Sequence, residues 1–231
     1  MLKNFDFDLI TFDCYGTLVA WEPGIFSALK PVLARHKREI PDAELLALYG
    51  EFEAQAESGE YRSYRDVLRL VVRAFGKRLQ FAPTIQEIEA LPESVQTWRP
   101  FPDTVEALKR LAKRHRLAII SNIDDDLFES TRTHLGVEFH SVTTAQEAHC
   151  YKPARRIFEI ALQKTGVTPD RILHVGQSIY HDVLPAQAFG LATVWVNRPS
   201  ARAGVGAVVR AEGKPNLEVK DLTSLAEQAS C

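Results

Sequence analysis

Leu9-Ile10-Thr11-Phe12-Asp13-Cys14-Tyr15-Gly16-Thr17-Leu18 is the stretch from which the fold is read. Its first four residues form an unbroken apolar and β-branched run, the pattern of a short strand buried on both faces. The run stops at a carboxylate and passes through a glycine to a hydroxyl. Aspartate, glycine and threonine after a strand also make an ordinary turn; their weight comes from the motifs farther along the chain. Similar runs end at Ser121 (Leu117-Ala118-Ile119-Ile120) and at Gly176 (Ile172-Leu173-His174-Val175), and a fourth is Thr193-Val194-Trp195-Val196. Between them, Val105, Leu108 and Leu111 fall at helical spacing, as do Ile157, Ile160 and Ala161. Strand alternating with helix predicts crossover units and a parallel sheet, an α/β fold.

Residues 20–95 break that rhythm and read as helical throughout. Pro23-Gly24 opens a pattern with Ile25, Phe26, Leu29, Val32 and Leu33, and Pro41-Asp42 opens one with Leu45, Leu46, Leu48 and Tyr49. A third, 64–75, carries Val67, Leu68, Val71, Val72 and Phe75 on one side. Proline suits a helix start because its missing N–H has no intrahelical partner there. The expected organisation is a core of 1–19 and 96–231, interrupted by a helical cap of 20–95. The Gly- and Ala-rich stretch 201–213 reads as a loop.

The chain has 231 residues, 45% hydrophobic and 25% charged, an ordinary globular composition with ample material for a core. Its 28 Lys+Arg against 30 Asp+Glu, a formal charge of −2, lack the basic excess of a nucleic-acid binder. Cys14, Cys150 and Cys231 are odd in number and far apart, which reads as reduced thiols of a cytoplasmic protein without a zinc framework. No basic-then-apolar leader opens the chain, and no apolar run approaches the about 20 residues of a membrane span. The expectation is a soluble cytoplasmic protein with no membrane or nucleic-acid partner.

Ligands of open α/β sheets bind outside the carboxyl ends of the strands. That singles out Asp13, Ser121-Asn122 and Gly176-Gln177-Ser178-Ile179-Tyr180-His181-Asp182, with Tyr151-Lys152-Pro153 ahead of a helix. In this order, with a helical insertion after the first motif, they resemble the haloacid dehalogenase superfamily, and within it the 2-haloacid dehalogenase branch. The resemblance covers about residues 5–20 and 96–200 plus the position of the cap. It implies a Rossmann-like parallel sheet core with an inserted helical cap domain. Asp13 would be the nucleophile, Thr17, Ser121 and Lys152 would hold it or the substrate, and Asp182 would complete the catalytic set. Tyr15, Asn122, Gln177, Ser178 and Arg65 make up the expected substrate-binding set. The chemistry is consistent: a carboxylate nucleophile divides one hard step into two, and a nearby ammonium offsets the desolvation that would protonate it.

Most superfamily members are magnesium-dependent phosphatases with a second aspartate in the first motif and two acids in the last. Here Tyr15 and Gln177 stand at two of those positions, leaving Asp13 and Asp182. Tyrosine, ordinarily near pKa 10, is a poor proton donor for phosphoester cleavage. Halide leaves without a proton, so the carboxylate count favours attack on carbon. The resulting expectation is metal-free hydrolysis of small (S)-2-haloacids to 2-hydroxyacids through an aspartyl ester, with no cofactor and, as in related dehalogenases, a possible homodimer. Three alternatives stay open: hydrolysis of another small carboxylate such as azetidine-2-carboxylate, a phosphatase with a degraded magnesium site, and a non-catalytic binding protein. Gly50 stands where such dehalogenases carry a halide-cradling arginine, and Phe158 where they carry a tyrosine. Arg62 and Arg65 are candidates to replace that cation, against the plainer reading of solvated charges at a helix start. Trp21 and Phe52 are candidate walls of an apolar pocket, or cap core.

Three further features invite plainer readings. Alternation turns Cys14 away from the side of Asp13. His181 reads as a helix-face histidine. Asp124-Asp125-Asp126 reads as a helix start, where negative charge is stabilising by ~0.3–1 kcal/mol.

Overall fold

The computed structural model describes residues 5–229. The leader region read from Met1–Asn4 and the thiol of Cys231 lie outside the described residues. The chain opens with strand β1 (Leu9–Phe12), followed by four helices: α1 (Trp21–Arg35), α2 (Asp42–Glu57), α3 (Tyr64–Leu79) and α4 (Ile85–Ser94). Then come α5 (Thr104–Leu111), β2 (Arg116–Ser121), α6 (Asp125–Arg132), β3 (Ser141–Thr144), α7 (Ala145–Ala148) and α8 (Arg155–Thr165). β4 (Ile172–Gly176), α9 (Leu184–Ala188), β5 (Ala192–Val196), β6 (Leu217–Val219) and α10 (Leu222–Gln228) complete it.

Among the described residues, the six strands are all parallel, in the order β3-β2-β1-β4-β5-β6. β1 lies between β2 and β4, with Phe12 level with Ile119 on one side and Val175 on the other. The chain moves outward from β1 through β2 to β3, then crosses back to β4. The carboxyl ends of β1 and β4 therefore flank the point where strand order reverses, and the crevice for a ligand opens there. Every residue of β1 and β4 is buried, as their unbroken apolar runs require. β3 and β6 escape sequence reading because Ser141-Val142-Thr143-Thr144 is half polar and β6 is only three residues long.

The helical stretch leaves the sheet after β1 and returns before α5. The two connections are tied together: the Ala20 N–H donates to the Arg99 carbonyl at 2.9 Å and the Phe101 N–H to the Leu18 carbonyl at 3.0 Å. α1 starts at Trp21, two residues before the proline expected to open it. Pro23 still falls in the first turn, where no intrahelical acceptor waits for its N–H. α3 buries Val67, Leu68, Val71, Val72 and Phe75 along one stripe. α4 begins with a reciprocal cap in which Thr84 and Glu87 satisfy each other's backbone N–H groups. The 201–213 segment is irregular, as expected, and lies against α2. A Cβ on Gly50 would stand 2.8 Å from the Ala207 carbonyl oxygen. Among the described residues no helix is long and apolar enough to cross a membrane.

Candidate active site

The backbone after β1 builds the site. The Asp13 N–H continues the ladder to β4, donating to the Val175 carbonyl at 2.9 Å. Gly16, at φ +90°, makes the turn that side chains disfavour, and its N–H closes on the Val19 carbonyl at 2.9 Å. That turn brings Thr17 back under Asp13, where its hydroxyl donates to Asp13 Oδ2 at 2.7 Å. The Thr17 hydroxyl oxygen also accepts from the Gln177 N–H at 2.9 Å, joining the two strand ends.

Lys152 reaches in from the segment before α8 and is buried. All three of its ammonium protons are used: Asp13 Oδ1 at 2.8 Å, Asp182 Oδ1 at 2.6 Å and the Ile120 carbonyl at 3.0 Å. Asn122 fixes its backbone, accepting from the Lys152 N–H at 2.7 Å and donating to the Lys152 carbonyl at 3.3 Å. Asp182 sits in a wide helical turn, Ile179–Val183, and accepts from the Ser178 N–H at 3.2 Å. Glycine is required beneath it, since a Cβ on Gly176 would lie 2.4 Å from Asp182 Cγ. Behind Asp182, His174 Nε2 approaches Oδ1 at 3.4 Å while Nδ1 meets the Thr11 hydroxyl at 2.9 Å.

One ammonium thus serves two carboxylates, and they divide it unequally. Burial works against ionising Asp182, but Lys152 and His174 outweigh it and hold its carboxyl well below the usual range. Asp13 is pushed up, first by burial and further by the Asp182 charge, with Lys152 and Thr17 pulling the other way. Burial disfavours the Lys152 ammonium, yet the two carboxylates raise its proton affinity above the ordinary lysine value.

Opposite this triad, helix α2 presents Glu53 and Glu57, which sequence reading did not single out. With Asp13, Ser121, Lys152 and Asp182 they line a cavity of about 40 Å³, room for a few water molecules. Glu53 is buried and accepts from Tyr64 at 2.6 Å and Tyr49 at 3.0 Å, both on Oε1. Burial pushes its carboxyl up to about 7, the two tyrosines pulling down and the Asp13 charge pushing up. The half-buried Glu57 is raised well above the ordinary value by burial of its carboxyl and by Glu53, against the pull of Lys152 and Asn122. The available signal was their spacing: Tyr49, Glu53 and Glu57 recur every four residues along one face of α2.

The remaining expected residues are divided between the cavity wall and the surface. Ser121 is fully buried on the wall, and its hydroxyl has no partner among the described residues. Tyr15 lines the cavity with its hydroxyl bonded to Thr131 at 2.7 Å, and burial raises its phenol well above 10. The Gln177 amide donates to the Val205 carbonyl at 2.9 Å. The Ser178 hydroxyl caps the turn by accepting from the His181 N–H at 3.0 Å. Arg65 does not line the cavity; its guanidinium pairs with Asp126 at the surface. Arg62 donates to the Ala56 carbonyl at 2.8 Å. Neither supplies the missing cation, and no side chain fits at Gly50, where the 201–213 segment fills the space. Trp21 borders the cavity, while Phe52 packs edge-on against Phe75 in the helical core.

Cys14 is buried, its thiol raised by burial, and His181 is lowered to about 4 by burial. Asp124-Asp125-Asp126 does form the start of α6, but the Asp124 carboxylate is used elsewhere. It makes no cap bond to its own helix α6; its carboxylate accepts from the Tyr64 and Arg65 N–H groups, 2.8 and 3.0 Å away, at the start of α3. The first-turn donors of that helix, which have no intrahelical acceptors, are met by a residue from beside β2.

A divalent ion fits this donor set poorly. Lys152 occupies the space between Asp13 and Asp182, and Tyr15 and Gln177 stand where further carboxylates would be needed. Among the described residues no group of three or more His, Cys, Asp or Glu is arranged to hold a metal.

The family model of haloacid dehalogenase-like hydrolases matches residues 7–190. (S)-2-haloacid dehalogenase H-109 of Pseudomonas putida is 30% identical over 94% of this chain and 96% of its own length. An (S)-2-haloacid dehalogenase of Pseudomonas sp. (strain YL) is 26% identical over 94% and 92%. The solved L-2-haloacid dehalogenase of Xanthobacter autotrophicus, with chloropropionic acid covalently bound, superposes with a TM-score of 0.79, covering 97% and 98% of the two chains at 20% identity.

Proposed function

The chain belongs to the haloacid dehalogenase-like hydrolases, and from that premise we propose that it displaces the substituent at C2 of a small carboxylic acid by direct attack of Asp13. The reaction is of the type that turns (S)-2-haloacids into 2-hydroxyacids. Its support is one observation: Asp13 faces the cavity with one oxygen held by Thr17 and the other by Lys152, so the carboxylate is oriented and stripped of bulk water. In the first step an Asp13 oxygen bonds to C2 and the C2–X pair leaves with X. In the second, water attacks Cγ of Asp13 and the 2-hydroxyacid departs with C2 inverted. Lys152 favours the anion of Asp13 against the burial that raises its carboxyl, and Asn122 positions Lys152. Ser121, whose hydroxyl has no partner among the described residues, binds the substrate carboxylate, and Asp182 orients the attacking water. Residues 20–95 act as the cap over a core of 1–19 and 96–231. The substrate is a small carboxylate handled in the cytoplasm, without nucleic acid.

The test is a single turnover of racemic 2-chloropropionate in ¹⁸O-water with EDTA, followed by mass analysis of the peptide containing Asp13. The expected result is label in Asp13, lactate of one hand and no turnover by Asp13→Asn. Label appearing directly in lactate, with none in Asp13, would sink the aspartyl-ester mechanism.

A further inference from the structure

Aspartyl-ester chemistry leaves Glu53 and Glu57 unexplained. A buried carboxyl is costly unless it is paired or neutral, and among the described residues neither glutamate has a cation of its own in the cavity: the Lys152 ammonium is already shared by Asp13, Asp182 and the Ile120 carbonyl. We propose that Glu53 is the acid that protonates the departing group, and that the enzyme's own substrate carries oxygen or nitrogen, not halogen, on the carbon attacked by Asp13. The proposal rests on the reading of Asp13 as nucleophile.

Four observations carry it. Glu53 and Asp13 line the same small cavity from opposite sides, Glu53 on α2 and Asp13 at the end of β1. Both tyrosines address Oε1, which leaves Oε2 to hold the proton. Tyr15, at the position of the acid used by phosphatases, is tied to Thr131 and cannot donate inward without breaking that bond. Finally, the Ser121 hydroxyl is fully buried on the same cavity wall with no partner among the described residues, which marks the space as built for a polar ligand. The proton affinity near 7 agrees with such a role, being the value at which a carboxyl is half protonated at neutral pH. The groups facing it are Tyr49 and Glu57 on α2, Tyr64 on α3, Asp13 after β1, and Lys152, His181 and Asp182 across the cavity.

The steps balance. Asp13 oxygen bonds to carbon, the C–O or C–N pair goes to the leaving atom, and that atom takes the Glu53 proton and departs as a neutral alcohol, phenol or amine. Water then attacks the Asp13 ester carbonyl, and the proton it releases restores Glu53.

The experiment compares three probes that share one acid portion, (S)-2-chloropropionate, (S)-2-phenoxypropionate and (S)-2-anilinopropionate, in wild type and Glu53→Gln. Glutamine keeps an acceptor for both tyrosines, so the fold is retained. The readouts are kcat/KM and ¹⁸O-labelling of Asp13. The expected result is turnover of the phenoxy or anilino probe by wild type. The ratio of that turnover to chloride release should fall by about 10²-fold or more in Glu53→Gln. Wild-type activity should be lost as pH rises through about 7, a limb absent in the variant. The phenoxy and anilino arms distinguish oxygen from nitrogen. Chloropropionate labelling Asp13 while both other probes are inert, or a ratio that moves less than about threefold, overturns the acid role and leaves the nucleophile standing. Turnover of any probe without label in Asp13 overturns the nucleophile instead. Infrared difference spectra of wild type minus variant give an independent reading. They should show a protonated carboxyl stretch at about pH 6 that is gone by about pH 8; no such band refutes the proposal whatever the probes do.

Discussion

Glu53 makes a stability prediction that needs no substrate. Its carboxyl is buried, and its proton affinity rises from an ordinary 4.5 to about 7. A folded-state pKa above the unfolded value means that the folded chain keeps a proton the unfolded chain releases. Below about pH 4.5 the group is protonated in both states, and its contribution is fully present. As pH rises from there through about 7, the contribution is lost, and at 1.36 kcal/mol per pK unit the loss comes to about 3 kcal/mol. Glutamine has no proton to lose and offers the same acceptor to Tyr49 and Tyr64. Glu53→Gln should therefore match wild type at about pH 4.5 and exceed it by about 3 kcal/mol at about pH 8. In a chain of this size that is about 6–12 °C in Tm. Urea unfolding of the two proteins side by side at both pH values measures it, because every other titrating group is common to both. A difference that stays flat within about 0.5 kcal/mol across that range would refute the argument. Glu53 would then be solvated and have no raised proton affinity to explain.

Removing Lys152 should do the opposite of relieving the site. Lys152→Met leaves Asp13 and Asp182 buried and facing each other, so turnover disappears and urea unfolding at neutral pH shows a loss of about 3–5 kcal/mol. The loss should shrink on acidification as one of the two carboxyls takes a proton. Gly176→Ala places a methyl group 2.4 Å from Asp182 Cγ, so Asp182 must move. The expected cost is about 1–3 kcal/mol and a kcat on 2-chloropropionate reduced by about tenfold or more, read by denaturation and steady-state kinetics. Gly50→Arg should fail to install a halide cradle, because its Cβ meets the Ala207 carbonyl at 2.8 Å. Halide release should not rise, and stability should fall by about 1–3 kcal/mol.

Legibility in the sequence has a physical basis. Asp13, Ser121 and Gly176 were legible because buried parallel strands are short apolar runs, and the residue ending each run marks the edge where ligands bind. Lys152 and Asp182 were legible only through the joint order of motifs; nothing local marks a lysine before a helix as buried. The glutamates of α2 were not legible. A glutamate on a helix ordinarily faces water, and only the packing of α2 over the strand ends turns Glu53 inward between Tyr49 and Tyr64. Asp124 shows the same limit from the other side. Its position predicts a cap for the helix immediately after it, yet its partners are the N–H groups of Tyr64 and Arg65, sixty and fifty-nine residues away in the chain. Arg65 looked available from its charge alone; in the fold it has a nearer partner in Asp126.

The sheet edge and helix α2 bear on different parts of the proposed reaction. The sheet edge supplies Asp13, Thr17, Lys152 and Asp182, groups suited to attack on carbon and to hydrolysis of the resulting ester, and it says nothing of what leaves. On the proposed reading the leaving group departs toward α2, and that side of the site does not suit halide. A halide is an anion that needs cations or N–H donors and no proton. The α2 face offers no cation, has main chain packed where one would stand, and turns two carboxyls toward the cavity. Above about pH 7 Glu53 is ionised, and a departing halide would meet a like charge in a space of low dielectric, where repulsion is strongest. Below that pH the same carboxyl is a proton donor, which halide does not use and oxygen or nitrogen does. On the proposed reading, helix α2 therefore turns a site suited to displacement at carbon toward a leaving group that must be protonated to go.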